Sequence, residues 1–308
     1  MKKIFAVLWL LASNMTLLNA QSMEVYKDRV KKAQSLYEQK QYRAAAVAYN
    51  TAFTEMGRGM IPDRYNAACS WALAGEKDSA FSQLSRIVLA THYSDYLQMN
   101  VDPDLAALRN DARWEALLDM IRSNRQAKEP VHNQELLYTL DSVYILDQRD
   151  RRMLEQQNGA ASPGVITLKK NIVVNDSLNL ITVKAILDKH GWPPRSEIGD
   201  DGARTIFLVI QHADYLTQKQ YLGRVKEAVD RKDIPSQFAC LLTDRILMQE
   251  GKPQIYGSQV VRDSNTGKYI VYRLADPENV DKRRAAAGMI PIADYVRAWG
   301  ITWKSAEK

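Results

Sequence analysis

The sequence predicts a mainly α-helical protein, in which an array of helical hairpins precedes a second α-rich domain with a small β-hairpin. Three observations support this fold class. Apolar residues recur at spacings of three and four through most of the chain, the period of an amphipathic helix. A pattern of small and aromatic residues recurs after about 35 residues in the N-terminal part. Alternation typical of strands is confined to residues 254–274.

Residues 1–20 have the order of a secretory signal peptide. Lys2 and Lys3 form a basic start, the apolar run over residues 4–12 is too short to span a bilayer, and Ala20 offers a small residue before Gln21. An uncleaved anchor helix is the alternative. We expect a periplasmic or secreted protein with no stable membrane span after cleavage.

Residues 21–125 are expected to form the hairpin array. Small residues would let paired helices approach closely, and aromatic residues would fill the gaps between successive hairpins. Gly75 falls at the turn between two helices, where a left-handed backbone is tolerated. The two units carry these residues: Ala33, Leu36, Tyr42, Ala45, Tyr49 and Ala52, then Ala68, Trp71, Gly75, Ala80 and Leu84.

A third, degenerate unit follows the first two. Asp104 is expected to cap a short helix, and Trp114, Leu117 and Leu118 indicate a closing amphipathic helix over the end of the array. The spacing resembles the tetratricopeptide repeat, and that resemblance implies a scaffold for a protein partner. A plain helical bundle is the alternative.

A polar segment containing Pro130, residues 126–132, is expected to link the two domains, and residues 133–300 form the second one. A helix from Asn133 to about Gln157 carries Asp147 and Arg151 at i and i+4 on its apolar face. After a break at residues 159–164, a second helix is expected to begin behind Asp176–Ser177 and to end at His190.

The rest of the second domain places further polar residues at helix ends and on apolar faces. Gln211 and His212 end an apolar run, and Gln218 interrupts the apolar stripe of the next helix. In the helix after that, Arg245 lies on the apolar face and Asp244 at its edge. The predicted hairpin opens with Gln254, Tyr256 and Gln259. A last helix is expected from Pro291, and residues 301–308 form a tail.

These motifs resemble a bacterial domain family of unknown function over roughly residues 133–300. Ser258 stands where Thr is expected, a departure that keeps the hydroxyl group. The resemblance implies a shared fold and no known activity. The motifs are Asp147-Gln148-x-x-Arg151, His190-Gly191-Trp192-Pro193, Gln211-His212-Ala213-Asp214, Asp244-Arg245 and Gln254-x-Tyr256-Gly257-Ser258-Gln259.

Such residue types are those from which acid/base and anion-stabilising sites are built. The hypothesis is a hydrolase or transferase for a small polar or phosphorylated substrate, with no cofactor and no metal. The catalytic candidates are His190, His212, Asp244 and Arg245. The substrate-binding candidates are Asp147, Arg151, Gln211, Gln218, Gln254, Tyr256 and Gln259.

Two non-enzymatic hypotheses stay open beside the enzyme: a binding module for a polar ligand and an envelope assembly protein. In the latter, the polar residues form a structural network of ion pairs, Asp147 with Arg245 and Asp244 with Arg151. An enzyme or binder would gather His190, His212, Asp244, Gln254 and Gln259 around one open pocket. Glycine-rich phosphate loops, nucleophile elbows and paired-histidine zinc motifs are missing from the sequence.

The charge of the chain restricts the expected classes of partner, and its two cysteines are considered for a disulfide. Loss of Lys2 and Lys3 lowers the net charge from +6 to +4, and acidic residues flank the one basic run near the C-terminus, residues 282–284. We therefore expect no nucleic-acid partner. Cys69 and Cys240 have apolar or small neighbours in different domains, which favours buried free thiols over a disulfide.

Overall fold

The computed structural model describes residues 22–157 and 162–303, and the predicted signal peptide lies outside this part of the chain. The chain divides after Glu129 into two compact units, Met1–Glu129 and Pro130–Lys308. The structure is mainly α-helical with one small two-stranded sheet, as predicted. No helix within the described ranges combines the length and apolar character needed to cross a membrane.

The first unit consists of successive helices that pack as hairpins. Buried alanines such as Ala45 and Ala68 let the helices approach closely, and Gly75 has a φ of 80° at the turn that the sequence indicated. The elements are α1 (22–38), α2 (Tyr42–Met56), α3 (Ile61–Leu73), α4 (Lys77–Thr91), α5 (Tyr96–Val101), a 3-10 helix (Pro103–Leu108) and α6 (Arg113–Lys128).

The last helix of this unit, α6, buries Trp114, Leu117 and Leu118, the face that the sequence predicted. The residue that caps the 3-10 helix before α6 differs from the one that the sequence predicted. The Asp102 side chain, and not that of Asp104, caps the 3-10 helix by accepting a hydrogen bond from the Asp104 backbone N–H. Since Pro103 occupies the first position of the turn, the residue before it is the one placed to cap.

The second unit begins with five helices around one core. Leu140, Val183, Phe207, Val225 and Leu242 are among the buried residues of that core, so each helix contributes to it. The helices are α7 (Gln134–Glu155), α8 (Pro163–His190), α9 (Arg195–His212), α10 (Tyr215–Asp230) and α11 (Ser236–Gln249).

The start of α8 contradicts the sequence-based expectation. The helix begins at Pro163, with the Ser162 side chain accepting a hydrogen bond from the Val165 N–H, so a start behind Asp176 is wrong. Asp176 instead lies in the middle of a 28-residue helix. This placement turns Asp176 from a capping residue into a side chain that faces α7.

Helix α9 contains two glycines with structural roles. Gly199 has a φ of 67° and produces a kink near the start of the helix. A Cβ atom at Gly202 would lie 2.8 Å from the Ile198 Cβ and 3.1 Å from the Leu140 Cδ1, so the missing side chain allows α7 and α9 to pack closely. These two helices carry the main polar cluster.

The C-terminal part holds the predicted hairpin. Strands β1 (Val260–Arg262) and β2 (Tyr269–Val271) are antiparallel, and Gln254 pairs with Leu274 in an isolated parallel bridge. Val280, Ile292 and Val296 form a small core beside them. The remaining elements are 3-10 helices at Pro277–Asn279 and Arg297–Trp299, α12 (Val280–Ala286) and α13 (Ile292–Val296).

Candidate functional site

The centre of the polar cluster is a hydrogen bond between Asp147 and His212. Asp147 lies on the apolar face of α7, and His212 is the last residue of α9, which packs against α7. The His212 Nδ1 lies 2.9 Å from the Asp147 Oδ1. The carboxylate side chain is 1% exposed and the imidazole is 21% exposed, so the pair is anchored inside the unit but reaches its surface.

Compensating contacts keep the buried Asp147 ionised. Burial raises the pKa of Asp147, while the hydrogen bond from His212, a hydrogen bond from Gln148 at 2.6 Å and the charge of Arg151 lower it. The lowering contacts win, and the pKa of this carboxyl lies below its ordinary value. A carboxylate on Nδ1 fixes the ring orientation and leaves Nε2 as the second functional atom of His212.

Arg151 connects the Asp147–His212 pair, called the dyad below, to α8. Its guanidinium donates to the Asp176 Oδ1 at 2.5 Å and lies 3.8 Å from the Asp147 Oδ1. Asp147, Asp176 and His212 each place one potential ligand atom within 4.8 Å of the others, the spacing of a cation site. Because Arg151 already occupies both carboxylates, we assign them to the ion-pair network.

Arg245 on α11 is a partly buried cation of the second unit. Its Nε is buried and has no hydrogen-bond partner in the described part of the chain, which is also true of Arg149 on α7. Burial lowers the pKa of Arg245, and the nearby charge of Arg151 lowers it further. A partly buried guanidinium beside a second guanidinium is less costly when an anion neutralises it.

Gln218 holds the end of α9 that carries His212. Its Nε2 donates to the carbonyl oxygens of Gln211 and Ala213 at 3.0 and 2.8 Å, and its Oε1 accepts from the Gln249 side chain on α11 at 2.8 Å. The buried Gln211 Oε1 has no partner in the described part of the chain. Gln218 therefore positions His212 by satisfying the helix C-terminus.

Asp214 starts the next helix of the same motif. It caps α10 through the Thr217 N–H and hydroxyl, at 3.0 and 2.9 Å. The four-residue motif 211–214 thus joins a helix end, the dyad histidine and a helix start.

Asp244 binds backbone N–H groups of the loop that follows α11. Its fully buried carboxylate accepts hydrogen bonds from the N–H groups of Ile255, Tyr256 and Ser258 at 2.7 to 3.1 Å. Gln254 closes the same loop through the Gln259 N–H at 2.8 Å and the carbonyl oxygens of Gln259 and Tyr272 at 2.9 and 2.8 Å.

The remaining predicted residues are spread out. Gln259 bonds to the Ser258 hydroxyl within the loop at 3.0 Å. His190 is exposed at the end of α8, about 21 Å along the helix axis from Asp176 at 1.5 Å per residue. The five side chains expected to surround one pocket are therefore not gathered as expected. The structure instead gathers Asp147, Arg151 and His212 from the candidate set, with Arg245 close to Arg151.

Neither ion pair of the hypothetical network forms among the described residues. Asp147 pairs with His212 and Arg151, and Asp244 binds backbone N–H groups. The sequence reasoning also missed Asp176 and Gln249 as members of the cluster. A signal for Asp176 was present, since it is an acidic residue amid aliphatic residues of one helix, but it was interpreted as a helix start.

Comparison with known proteins yields one match. The model of a family of unknown function, DUF6624, matches residues 130–304, which is more than half of the chain and agrees with the resemblance seen in the motifs. No tetratricopeptide family is detected in the first unit. Neither the curated proteins nor the solved structures contain a match. With the family model covering the whole second unit apart from its last residues, this chain belongs to the DUF6624 family of unknown function.

Proposed function

We propose that the second unit binds a small anionic substrate and acts on it by acid/base catalysis, as a hydrolase or a transferase. The observation that supports this proposal is the 2.9 Å bond between the buried Asp147 carboxylate and the partly exposed His212 ring. A histidine held in this way has one orientation and one tautomer, which a general base requires.

The division of roles follows from the contacts. Asp147 accepts the Nδ1–H of His212, so the Nε2 lone pair is the one that takes a proton from a water molecule or a substrate hydroxyl. Arg245 carries a partly buried charge whose Nε has no hydrogen-bond partner among the described residues, which suits it to an anionic group of the substrate. Gln218 acts as a positioning residue, because it holds the end of α9.

The test measures turnover of a panel of small phosphate and carboxylate esters by the full chain. His212→Ala should lower turnover by about 100-fold or more without changing the melting temperature. Arg245→Gln should raise KM more than it lowers kcat. His190→Ala is the matched control, since this exposed histidine lies at the far end of α8 and its loss should leave turnover unchanged.

Two results would contradict the proposal. An equal loss of turnover and thermal stability in His212→Ala would identify a structural histidine. Absence of turnover on the whole panel, together with no binding of inorganic phosphate at Arg245, would contradict the proposal that the substrate is anionic.

A second candidate function is assembly, with the polar motifs serving only to fix the packing of the unit. The observation that favours it is the satisfaction of Asp244 and Gln254 by backbone groups, in contacts that need no ligand. Under this alternative Arg245→Leu would stabilise the protein, because it removes a partly buried charge at no functional cost.

We also propose that the first unit is a repeat scaffold for a protein partner and that the chain is exported. The hairpins α1–α4 and the spacing of their alanines and aromatic residues support the scaffold. Export is supported by the residue pattern of positions 1–20. Mass spectrometry of the protein from the periplasm should find a chain that begins at Gln21.

A further inference from the structure

Helix α8 is apolar on the face that points away from the core as well as on the face that builds the core. Its inner face includes the core residue Val183. On the opposite side, four aliphatic side chains of α8 are between 53% and 67% exposed: Val173, Val174, Leu178 and Ile181. A helix that covers a core normally turns polar residues to water, so an outer face of this kind indicates an interaction surface.

Helix α7 extends this apolar surface. The Asn175 side-chain amide donates to the Leu146 carbonyl oxygen at 3.3 Å, which places Leu146 beside the middle of α8. Leu146 is itself exposed, and the exposed residues of α7 from 136 to 146 are all uncharged. We call the surface formed by Leu146, Val173, Val174, Leu178 and Ile181 the α7–α8 face.

The exposed charges next to the α7–α8 face are positive. Lys169 and Lys170 are the only charged side chains that α8, which the structure describes throughout, exposes between residues 163 and 187. Asp176 is partly exposed and binds Arg151 at 2.5 Å. Asp188, beyond the last aliphatic residue of the face, is the one exposed acid of α8. The face therefore combines aliphatic groups with positive charge.

We propose that the α7–α8 face binds the surface of a lipid bilayer that contains anionic headgroups. The aliphatic side chains enter the boundary between headgroups and acyl chains, and the lysines extend their methylene chains to keep their charge among the phosphates. Charge complementarity selects this occupant, because a bilayer with anionic lipids is apolar inside and negatively charged at its surface. The interaction does not depend on the catalysis proposed for the dyad.

The dimensions of the face suit a helix that lies in the plane of the membrane. Ile166 is also 53% exposed, and the distance from Ile166 to Ile181 is about 22 Å along the helix axis at 1.5 Å per residue. The inner face of α8 packs on the core, so only the outer face enters the headgroup region. Val173 precedes Asp176 by one helical turn, and a bilayer bound here therefore lies beside the polar cluster.

A second copy of the chain is the competing occupant. Packing two copies through α8 would add the Lys169 and Lys170 of one copy to those of the other. The helix exposes no acid between residues 163 and 187 to pair with them, whereas anionic headgroups would neutralise all four lysines. The bilayer is therefore the favoured occupant, and a dimer is one outcome of the test.

The test is co-sedimentation of the chain 21–308 with lipid vesicles. Residues 1–20 are removed so that the apolar run at residues 4–12 does not contribute to lipid binding. The vesicles consist of phosphatidylcholine alone or of a two-to-one mixture of phosphatidylcholine and phosphatidylglycerol. The mixed vesicles should bind at least about tenfold more tightly, because each lysine near an anionic surface contributes about fivefold. Added salt should reduce this difference.

Glutamine variants test the aliphatic residues of the face. Leu178→Gln and Ile181→Gln should each weaken binding to the mixed vesicles by about tenfold, since each removes an apolar side chain from the lipid contact. Leu89→Gln is the matched control, because it makes the same change at a leucine that is 65% exposed on α4. It should bind like the wild type.

Lysine variants test the charge. Lys170→Gln should weaken binding to the mixed vesicles by about fivefold and leave binding to phosphatidylcholine unchanged. Lys226→Gln, at an exposed position of α10, is the control and should change neither. All the substituted side chains are exposed, so thermal melts of the variants should match that of the wild type.

Absence of sedimentation with both kinds of vesicle would overturn the proposal, as would equal binding of Leu178→Gln and the wild type. A dimer in analytical ultracentrifugation that Leu178→Gln dissociates, without vesicle binding, would replace the bilayer by a second copy. His212→Ala should bind vesicles normally, and Leu178→Gln should keep full turnover of soluble esters. Failure of this proposal is therefore distinguishable from failure of the catalytic one.

Discussion

Asp147 is the residue on which the polar cluster of the second unit depends. A carboxylate with 1% of its side chain exposed is expensive to keep ionised, and here His212, Gln148 and Arg151 supply the compensation. The same contacts make Asp147 a source of pH-dependent stability, because the unfolded chain lacks them.

The sign of that dependence follows from the lowered pKa of Asp147. The stabilisation is fully present above the unfolded pKa of about 4 and is lost as the pH falls towards the folded value, since the unfolded chain takes up the proton more readily. We expect the unfolding free energy of Asp147→Asn to be about 2 kcal/mol below that of the wild type at pH 7. As the pH falls below about 4, the variant should lose less unfolding free energy than the wild type does. Urea unfolding between pH 3 and 7 measures both effects.

The control for this prediction is Asp28→Asn, whose carboxylate is exposed on α1. Its unfolding free energy should follow the wild-type pH dependence. Parallel curves for Asp147→Asn and the wild type would show that the buried carboxylate does not contribute to acid sensitivity.

The close packing of α7 and α9 depends on Gly202, and the dyad depends on that packing. A Cβ atom at this position would lie 3.1 Å from the Leu140 Cδ1 on α7 and 2.8 Å from the Ile198 Cβ on α9 itself, so Gly202→Ala must push neighbouring atoms apart. We expect a loss of about 1–3 kcal/mol in unfolding free energy, the usual cost of overpacking. Turnover should fall as well, because the two helices carry Asp147 and His212.

The matched control is Gly223→Ala, at an exposed position of α10 where nothing lies within 4 Å of the added Cβ. There alanine should stabilise the protein by about 0.5–1 kcal/mol through its higher helix propensity. Thermal melts of both variants compare the effects. Stabilisation by both substitutions would contradict the role given to Gly202.

How far the sequence predicts the elements differs from helix to helix. Helices α7, α10 and α11 each have one apolar face, so the helical period of their apolar residues is visible in the sequence. Helix α8 also exposes aliphatic residues, including Val173 at 66% and Ile181 at 67%, and its apolar residues therefore occur on several faces. Without a clear period, the sequence does not reveal the part of α8 that lies between Gly164 and Asp176.

The sequence indicates some members of the candidate site, but it does not indicate Asp176 or Gln249 and does not show which residues pair. His212 and Asp147 were recognised because a polar residue on an apolar stripe needs a partner, yet their contact depends on how α7 meets α9. Asp244 and Gln254 gave the same signal for another reason, since they satisfy backbone groups of a loop. Residue types alone do not separate these two cases.

At the scale of the whole molecule, each unit has a core of its own. Tyr49 and Phe53 belong to the core of the first unit, and Leu140 and Phe207 to that of the second. A unit with its own core can fold alone. We expect the fragments 22–129 and 130–303 each to unfold cooperatively, as measured by circular dichroism and calorimetry.

Turnover by fragment 130–303 should equal that of the full chain, since Asp147, His212 and Arg245 all lie within it. A fragment that remains unstructured, or one that folds but loses turnover, would contradict the independence of the two units.

The carboxylate of Asp244 also determines the order in which the second unit can be completed. Helix α11 leaves the ribosome before the N–H groups of Ile255, Tyr256 and Ser258 that this carboxylate binds. Until these N–H groups have emerged, the charged Asp244 carboxylate on α11 must remain hydrated. A nascent chain that stops at Gly251 would contain Asp147 and His212 but would lack the backbone groups that Asp244 binds, so we expect α11 to reach its final packing only after residues 255–258 have emerged.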